Sequence, residues 1–187
     1  MQVELKVNDK SVQAEISEEQ LKKMGLFEQL KELGLVEDKP KTGYERVEDG
    51  EIYYITDFTR SSIKKKATGS SWDQKEYDSG NYFSNEMVAE NNVRADKLFC
   101  CLRQWQGMHD RAITKKDWKN DKINKHFITY NYRFNIFEIG RSTQRREPNV
   151  IYFTTKEKAT EAIKKFRNEL EWYFKWYQQR LDEEQGE

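Results

Sequence analysis

Ile151-Tyr152-Phe153-Thr154, followed by a helical run from about Thr155, is the passage that decides how this chain is read. A short aromatic strand that runs straight into an amphipathic helix is half of a layered unit, because strand and helix each have one apolar face to bury. A similar passage, Asn81-Tyr82-Phe83-Ser84, stands 70 residues earlier, and the match continues into the helix, where Ala89 answers Ala159 and Val93 answers Ile163. Working back from each passage, Tyr53-Tyr54-Ile55 and Phe127-Ile128-Thr129-Tyr130 open two strand-rich stretches. The first is read as strand up to Tyr77, and the second continues through Ile136-Phe137-Glu138-Ile139. This periodicity predicts an internal duplication, with each copy a small antiparallel sheet followed by one long helix.

The helix of the first copy carries Val88, Ala95, Leu98, Leu102 and Trp105 along one face. In the second copy Thr154 and Glu157 match a capping box. Ala159, Ala162, Ile163, Phe166, Leu170, Tyr173, Phe174, Tyr177 and Leu181 then make one unbroken apolar stripe. Trp172 and Trp176 sit off its centre and are read as a widening of the core. The beginning of the chain follows a different plan. Val3, Leu5 and Val7 alternate with polar residues, Asn8-Asp9-Lys10 turns, and Val12, Ala14 and Ile16 alternate again, the pattern of a β-hairpin. Ser17 and Gln20 form a second capping-box signature, Gly25 is a break, Gly34 a helix stop, and Pro40 closes the unit. The expected fold is therefore α+β, with a hairpin and helix over 1–40, a sheet-helix unit over 41–110, and a related unit over 111–187.

Composition sets the outer limits. The 187 residues hold 33 basic and 33 acidic side chains and have a mean hydropathy of −1.06, yet ten Phe, ten Tyr and five Trp provide rings enough for a core. No run of residues is long and apolar enough to span a membrane, and the start, Met1-Gln2-Val3-Glu4, lacks the pattern of a secretory signal, so a cytoplasmic location is expected. The zero net charge hides an uneven distribution. Residues 1–52 carry −5, residues 53–147 carry +6, and the remainder −1. A basic middle steers encounters toward polyanions or acidic surfaces.

Catalytic and metal chemistry find little support. His109, His126, Cys100 and Cys101 show no paired zinc spacing, the two cysteines are neighbours on a helix, and no glycine-rich phosphate loop occurs. No metal and no cofactor are expected. Asp73, Glu76 and Asp78 cluster, but in a strand-rich stretch they read first as an exposed turn and only second as a metal-binding set for a nuclease. RNA binding is the better-supported activity, since single-stranded RNA is gripped by stacked rings and by Lys and Arg on its phosphates. Tyr53, Tyr54, Phe58, Tyr130, Tyr132 and Phe134 supply rings. Arg60, Lys64, Lys65, Lys66, Arg133, Arg141, Arg145 and Arg146 supply cations. Lys115, Lys116 and Lys119 belong to the densest basic run, Arg111 to Lys125, with six positive and two negative residues. The plainer alternative is a solvated loop and a charged strand edge, with half of the rings inside the core.

One resemblance bears on function. The sequence holds, in this order, Lys41-Thr42-Gly43-Tyr44-Glu45-Arg46-Val47, Tyr53-Tyr54-Ile55, Gly80-Asn81-Tyr82-Phe83-Ser84, the run Ala89 to Leu98, and the ending Ile151-Tyr152-Phe153 through Glu171-Trp172-Tyr173-Phe174. It resembles a family of small proteins from phages and other mobile elements of Gram-positive bacteria. Some type II anti-CRISPR proteins are similar in size, host range and mixed α+β character. That resemblance implies an anti-defence protein in a bacterial host cell, with a type II CRISPR effector nuclease and its guide RNA as partners. Two alternatives stand beside it: an enzyme that damages the guide RNA within the effector complex, and a protein-interaction module without RNA contact. On the first reading the hairpin end, with Lys6, Asn8, Asp9 and Lys10, is a probe into a groove; the plainer reading makes it an edge hairpin. No catalytic residue carries over.

Overall fold

The computed structural model describes residues 2–7, 10–15, 17–23, 25–32 and 41–183, and the chain divides into two compact units, residues 1–40 and 41–187. The fold is α+β.

In the first unit β1 (Gln2–Val7) pairs antiparallel with β2 (Lys10–Glu15), with Leu5 opposite Val12, as the alternating pattern requires. Ser17 then caps α1 (Glu18–Lys23): its Oγ accepts from the Gln20 N–H at 3.2 Å, and Gln20 Oε1 accepts from the Ser17 N–H at 2.9 Å. Gly25, at φ +68°, separates α1 from α2 (Phe27–Glu32), where an L side chain would be strained. Leu21 and Phe27 are buried, while Leu26 stays exposed. The expected turn residues Asn8 and Asp9, the stop at Gly34 and the closing Pro40 lie outside the described residues, as do the side chains of Lys6 and Lys10.

The second unit opens with β3 (Ile52–Thr56) antiparallel to β4 (Ser62–Lys66). Tyr54 also exchanges two backbone hydrogen bonds with Phe83, at 2.8 and 2.9 Å, so Phe83 acts as a one-residue third strand beside β3. Between them lies a helix where strand was expected. α3 (Ser71–Asp78) exists because Ser70 and Asp73 cap each other's backbone N–H groups, and a capping box overrides the weak alternation of the stretch. α4 (Glu86–His109) follows, with Asn85 capping the Val88 N–H.

After α5 (Lys115–Lys119) come β5 (Lys125–Asn131), β6 (Ile136–Ser142) and β7 (Tyr152–Phe153), in sheet order β6-β5-β7. Phe153 is registered against His126 on the first strand of its hairpin, as Phe83 is against Tyr54. Both stretches thus run hairpin, short third strand, capped helix. The second helix differs from the single one expected. α6 (Lys156–Lys165) and α7 (Arg167–Trp176) meet at Phe166, where φ −110° and ψ 21° leave helical geometry. The apolar stripe runs through the break, and both halves meet α4 and the second sheet: Ala159 and Ala162 of α6 pack with Leu98, Leu102 and Phe153, while α7 joins α4 through Arg94–Glu169 and Phe99–Tyr173 and joins the β5–β6 hairpin through Phe174 stacked on Tyr130. The cap is displaced by one residue as well: Thr155, not Thr154, accepts the Lys158 N–H, because Thr154 is bound to Asp110 at the end of α4.

α4 is the element shared by the cores. Leu98, Leu102 and Trp105 pack with Phe153, Ala159, Ala162 and Leu170, while Val88 and Ala89 pack with Phe83 under Tyr54. The opposite face of β3 is covered by Tyr82 stacked on Tyr53, ring centres 4.3 Å apart. Trp172 is half-buried beneath the Arg94 guanidinium, but Trp176 is 71% exposed and does not widen the core.

Candidate nucleic-acid interface

A buried cation organises the basic stretch. Lys125, expected as part of a basic surface run, is 1% exposed. Its Nζ donates to the carbonyl of Asn120, the residue after α5, at 3.3 Å, and to the carbonyl of Thr143, just beyond β6. The Trp118 ring lies 5.0 Å from the same nitrogen. One ammonium therefore holds the end of α5 against the segment leading to Arg145 and Arg146. Trp118 meets Tyr152 edge-on at 5.0 Å, and Tyr152 meets Phe127 in the same manner. Gly140 lies across from Phe127, and a Cβ there would come within 2.5 Å of the ring, so only glycine admits this packing.

Around this clasp is a cavity of about 780 Å³ lined by Trp118, Tyr152, Arg146, and Arg103 and Gln106 of α4. A second cavity, of about 560 Å³, lies further along α4 between Phe99, Tyr173 and Phe174. Arg103 and the segment Pro148–Ile151 line both. Arg103 also donates to Cys100 Sγ at 3.0 Å. Burial raises the Cys100 thiol, but hydrogen bonds from Arg60 and Arg103 more than offset that and lower it below its usual value.

The sequence-derived cations separate into groups. Lys115, Lys116 and Lys119 are exposed on α5, and Arg145 and Arg146 are exposed on the segment that Lys125 ties to it. Arg141 is also exposed near this end of the β5–β6 hairpin, registered against His126. Arg133 is at the other end, its guanidinium 5.3 Å from the Phe134 ring, about 20 Å away for a seven-residue strand. On the first hairpin Lys64 and Lys66 are exposed along β4, but Lys65 forms an ion pair with Glu76. Arg60, in the turn at φ +60°, donates to the Asp96 carbonyl of α4 at 3.1 Å. Arg111 is taken by Asp117 at 2.9 Å. For Lys6 the structure gives only a backbone place opposite Ser11, and for Lys10 one opposite Val7.

The rings divide too. Tyr53 is buried and Tyr130 stacks on Phe174, whereas Phe58 is 97% exposed and Tyr132 and Phe134 are exposed at the β5–β6 turn. The acidic run is no exposed turn. Asp73 is buried and accepts from Tyr53 Oη at 2.8 Å, and Glu76 accepts from the same hydroxyl at 2.6 Å. The Thr68 N–H, opposed by burial and joined by the Tyr53 and Thr68 hydroxyls, holds the Asp73 carboxyl well below the usual carboxylate range. Among the described residues no group of three or more His, Cys, Asp or Glu side chains is placed to hold a metal ion, and no helix is long and apolar enough to cross a membrane.

Sequence reasoning placed Lys125 on the surface and missed Arg103 and Gln106. The last two had a legible signal: Leu102 and Trp105 mark the core face of α4, so positions 103 and 106 fall along its border. Comparison with protein-family models, with curated proteins and with solved structures finds no match to this chain.

Proposed function

We propose that this chain is a binding protein that grips single-stranded RNA with the open end of its β5–β6 hairpin. We further propose that the RNA is the guide of a type II CRISPR effector, met in the cytoplasm of a bacterial host. The observation that carries the first half is the cationic rim. Lys115, Lys116 and Lys119 stand exposed on α5, and Arg145 and Arg146 on the segment that Lys125 ties to it, with no carboxylate paired to their side chains among the described residues; Arg146 also lines the larger cavity. Cations left without internal partners are available to phosphates. The second half rests on the sequence resemblance alone. The enzyme alternative draws nothing from the acidic run, because Asp73 and Glu76 spend their oxygens on Tyr53, Thr68, Ser70 and Lys65.

Titration of labelled single-stranded RNA tests the rim. Affinity should fall with salt on a logarithmic plot, with a slope of about −0.7 for each phosphate neutralised. The triple substitution Lys115→Glu, Lys116→Glu, Lys119→Glu should reduce affinity by about tenfold or more while the melting temperature stays near that of the parent. A flat salt response overturns the rim. Mixing the protein with effector and labelled guide tests the partner: blocked guide loading supports it, shortened guide supports the enzyme alternative, and unchanged target cleavage removes the CRISPR assignment.

A further inference from the structure

β6 is an outer strand of the second sheet, whose order is β6-β5-β7. Thr129 stands opposite Glu138, and its hydroxyl donates to the Glu138 carbonyl at 3.3 Å, so that carbonyl points toward β5. Backbone direction alternates along a strand. Ile136, Glu138, Gly140 and Ser142 therefore spend their N–H and C=O groups on β5, while Phe137, Ile139 and Arg141 turn theirs to the free side. Among the described residues no backbone group pairs with them there.

The outer strand of the first hairpin is guarded. β4 carries Lys64, Lys65 and Lys66 in its five residues, and lysines along an edge oppose pairing with another chain. β6 lacks such a guard. It holds neither lysine nor proline, and its register against β5 runs unbroken from Ile136 to Ser142, so no bulge bends it away. Its charges are one Glu and one Arg, and the Glu138 carboxylate already accepts from the Asn131 amide.

The order of these residues selects the occupant. When a strand pairs antiparallel with its own copy about a twofold axis, residues equally spaced on either side of the axis come opposite each other. With the axis at Ile139 all seven residues of each strand are used: Arg141 stands opposite the partner's Phe137, Glu138 opposite the partner's Gly140, and Ser142 opposite the partner's Ile136. Every outward N–H meets an outward C=O, and no like charges face each other. Moving the axis to Glu138 or to Arg141 sets two carboxylates or two guanidinium groups face to face, which is destabilising.

We propose that β6 is the docking edge for a second copy of this chain, the two strands pairing antiparallel about Ile139 so that the two sheets become one. The pairing has a consequence for the rim. Within one chain the exposed Tyr132 and Phe134 lie at the hairpin turn, about 20 Å from the end that carries Arg145 and Arg146. Because Ser142 faces the partner's Ile136, the pair sets the partner's ring-bearing turn beside this chain's arginines. That consequence rests on the RNA-binding reading; the pairing itself does not.

Sedimentation equilibrium of the full chain without RNA reads the pairing. The mass should rise from 22.5 kDa toward twice that value as the concentration goes from about 1 to about 500 μM, the range of a small interface. A mass of 22.5 kDa throughout overturns the proposal. Arg141→Pro removes one outward N–H, a change that an edge strand tolerates, and should weaken association about tenfold with little change in melting temperature. The register is read with Ile136→Cys and Ser142→Cys in a background of Cys100→Ser and Cys101→Ser. These two positions are about 20 Å apart within a strand but about 4.5 Å apart across the pair, so the double variant should form disulfide-linked dimers on oxidation and each single variant should not. Association that resists Arg141→Pro and yields no cross-link overturns the edge. The linked dimer should then bind single-stranded RNA about threefold or more tightly per chain than the same protein reduced and dilute. Equal binding removes the shared site and leaves the pairing, whereas no RNA binding by either form removes the rim and leaves the pairing.

Discussion

Two lysines, one on each hairpin of the second unit, solve the problem of a half-covered or covered cation in opposite ways. Lys65 on β4 pairs with the Glu76 carboxylate, and Glu76 is in turn bound by the Tyr53 hydroxyl, so charge meets charge within one network. Lys125 on β5 is more deeply buried and meets only carbonyls and the face of Trp118. In the first hairpin acidic residues occupy the nearby cation. In the second a neutral cage holds one lysine, Asp117 takes Arg111, and the flanking lysines and arginines remain open to an external anion. Similar element order has thus produced one hairpin whose half-covered lysine sits in an ion network and another whose buried lysine sits in a neutral cage, with exposed cations beside both.

Lys125→Met breaks the contrast most directly. It removes a buried charge, which is favourable, but leaves two carbonyls and a ring without their donor. The expected net loss is about 2 kcal/mol in a denaturant titration. Because the clasp also aligns α5 with Arg145 and Arg146, RNA affinity should fall although no exposed cation has been removed. Unchanged RNA affinity would show that α5 keeps its place without Lys125.

Tyr53→Phe tests the other side. The substitution keeps the ring stacked on Tyr82 and removes only the hydroxyl shared by Asp73 and Glu76, both of which retain further partners. The loss should be about 1 kcal/mol by the same titration, smaller than for Lys125→Met, with RNA binding unaffected. A larger loss than at Lys125 would reverse the ranking of the two hairpins.

The smallest effect concerns acid. Burial alone would raise the Glu45 carboxyl, but hydrogen bonds from the Thr42 N–H and hydroxyl and the Gly43 N–H outweigh it and hold the group at about 2, below its ordinary 4.5. A carboxyl depressed in the folded state stabilises the protein above 4.5, and that contribution disappears as the pH falls from 4.5 to about 2. Melting temperatures measured through this window should decline less steeply for Glu45→Gln than for the parent. Equal slopes would remove Glu45 as a source of acid sensitivity.

Local chemistry was readable where it acts through neighbours in the chain. Ser17 with Gln20, the alternation over 2–15, the aromatic strands at 53–55 and 127–130, and the core face of α4 all depend on groups a few residues apart. α3 was equally local, and its Ser70–Asp73 cap was visible in the sequence, but an aromatic stretch with weak alternation hid it. The binding surface was less legible. Of the cations proposed there, Lys65 and Arg60 are engaged within the protein, and Arg133 stands at the far end of its hairpin from Arg145. A list of basic residues carries no distances.

Periodicity, caps and turn residues by themselves determined that this chain is α+β, where most strands lie, and which helix face turns inward, because each follows from backbone geometry over one or two turns. Two outcomes belonged to tertiary structure alone, the transfer of the cap from Thr154 to Thr155 and the burial of Lys125. Each depends on a partner distant in the chain or across a strand pair: Asp110 for the threonine, Thr143 for the lysine. Whether a charge is spent inside a protein or offered to another molecule is settled by what the fold brings within about 3 Å of it.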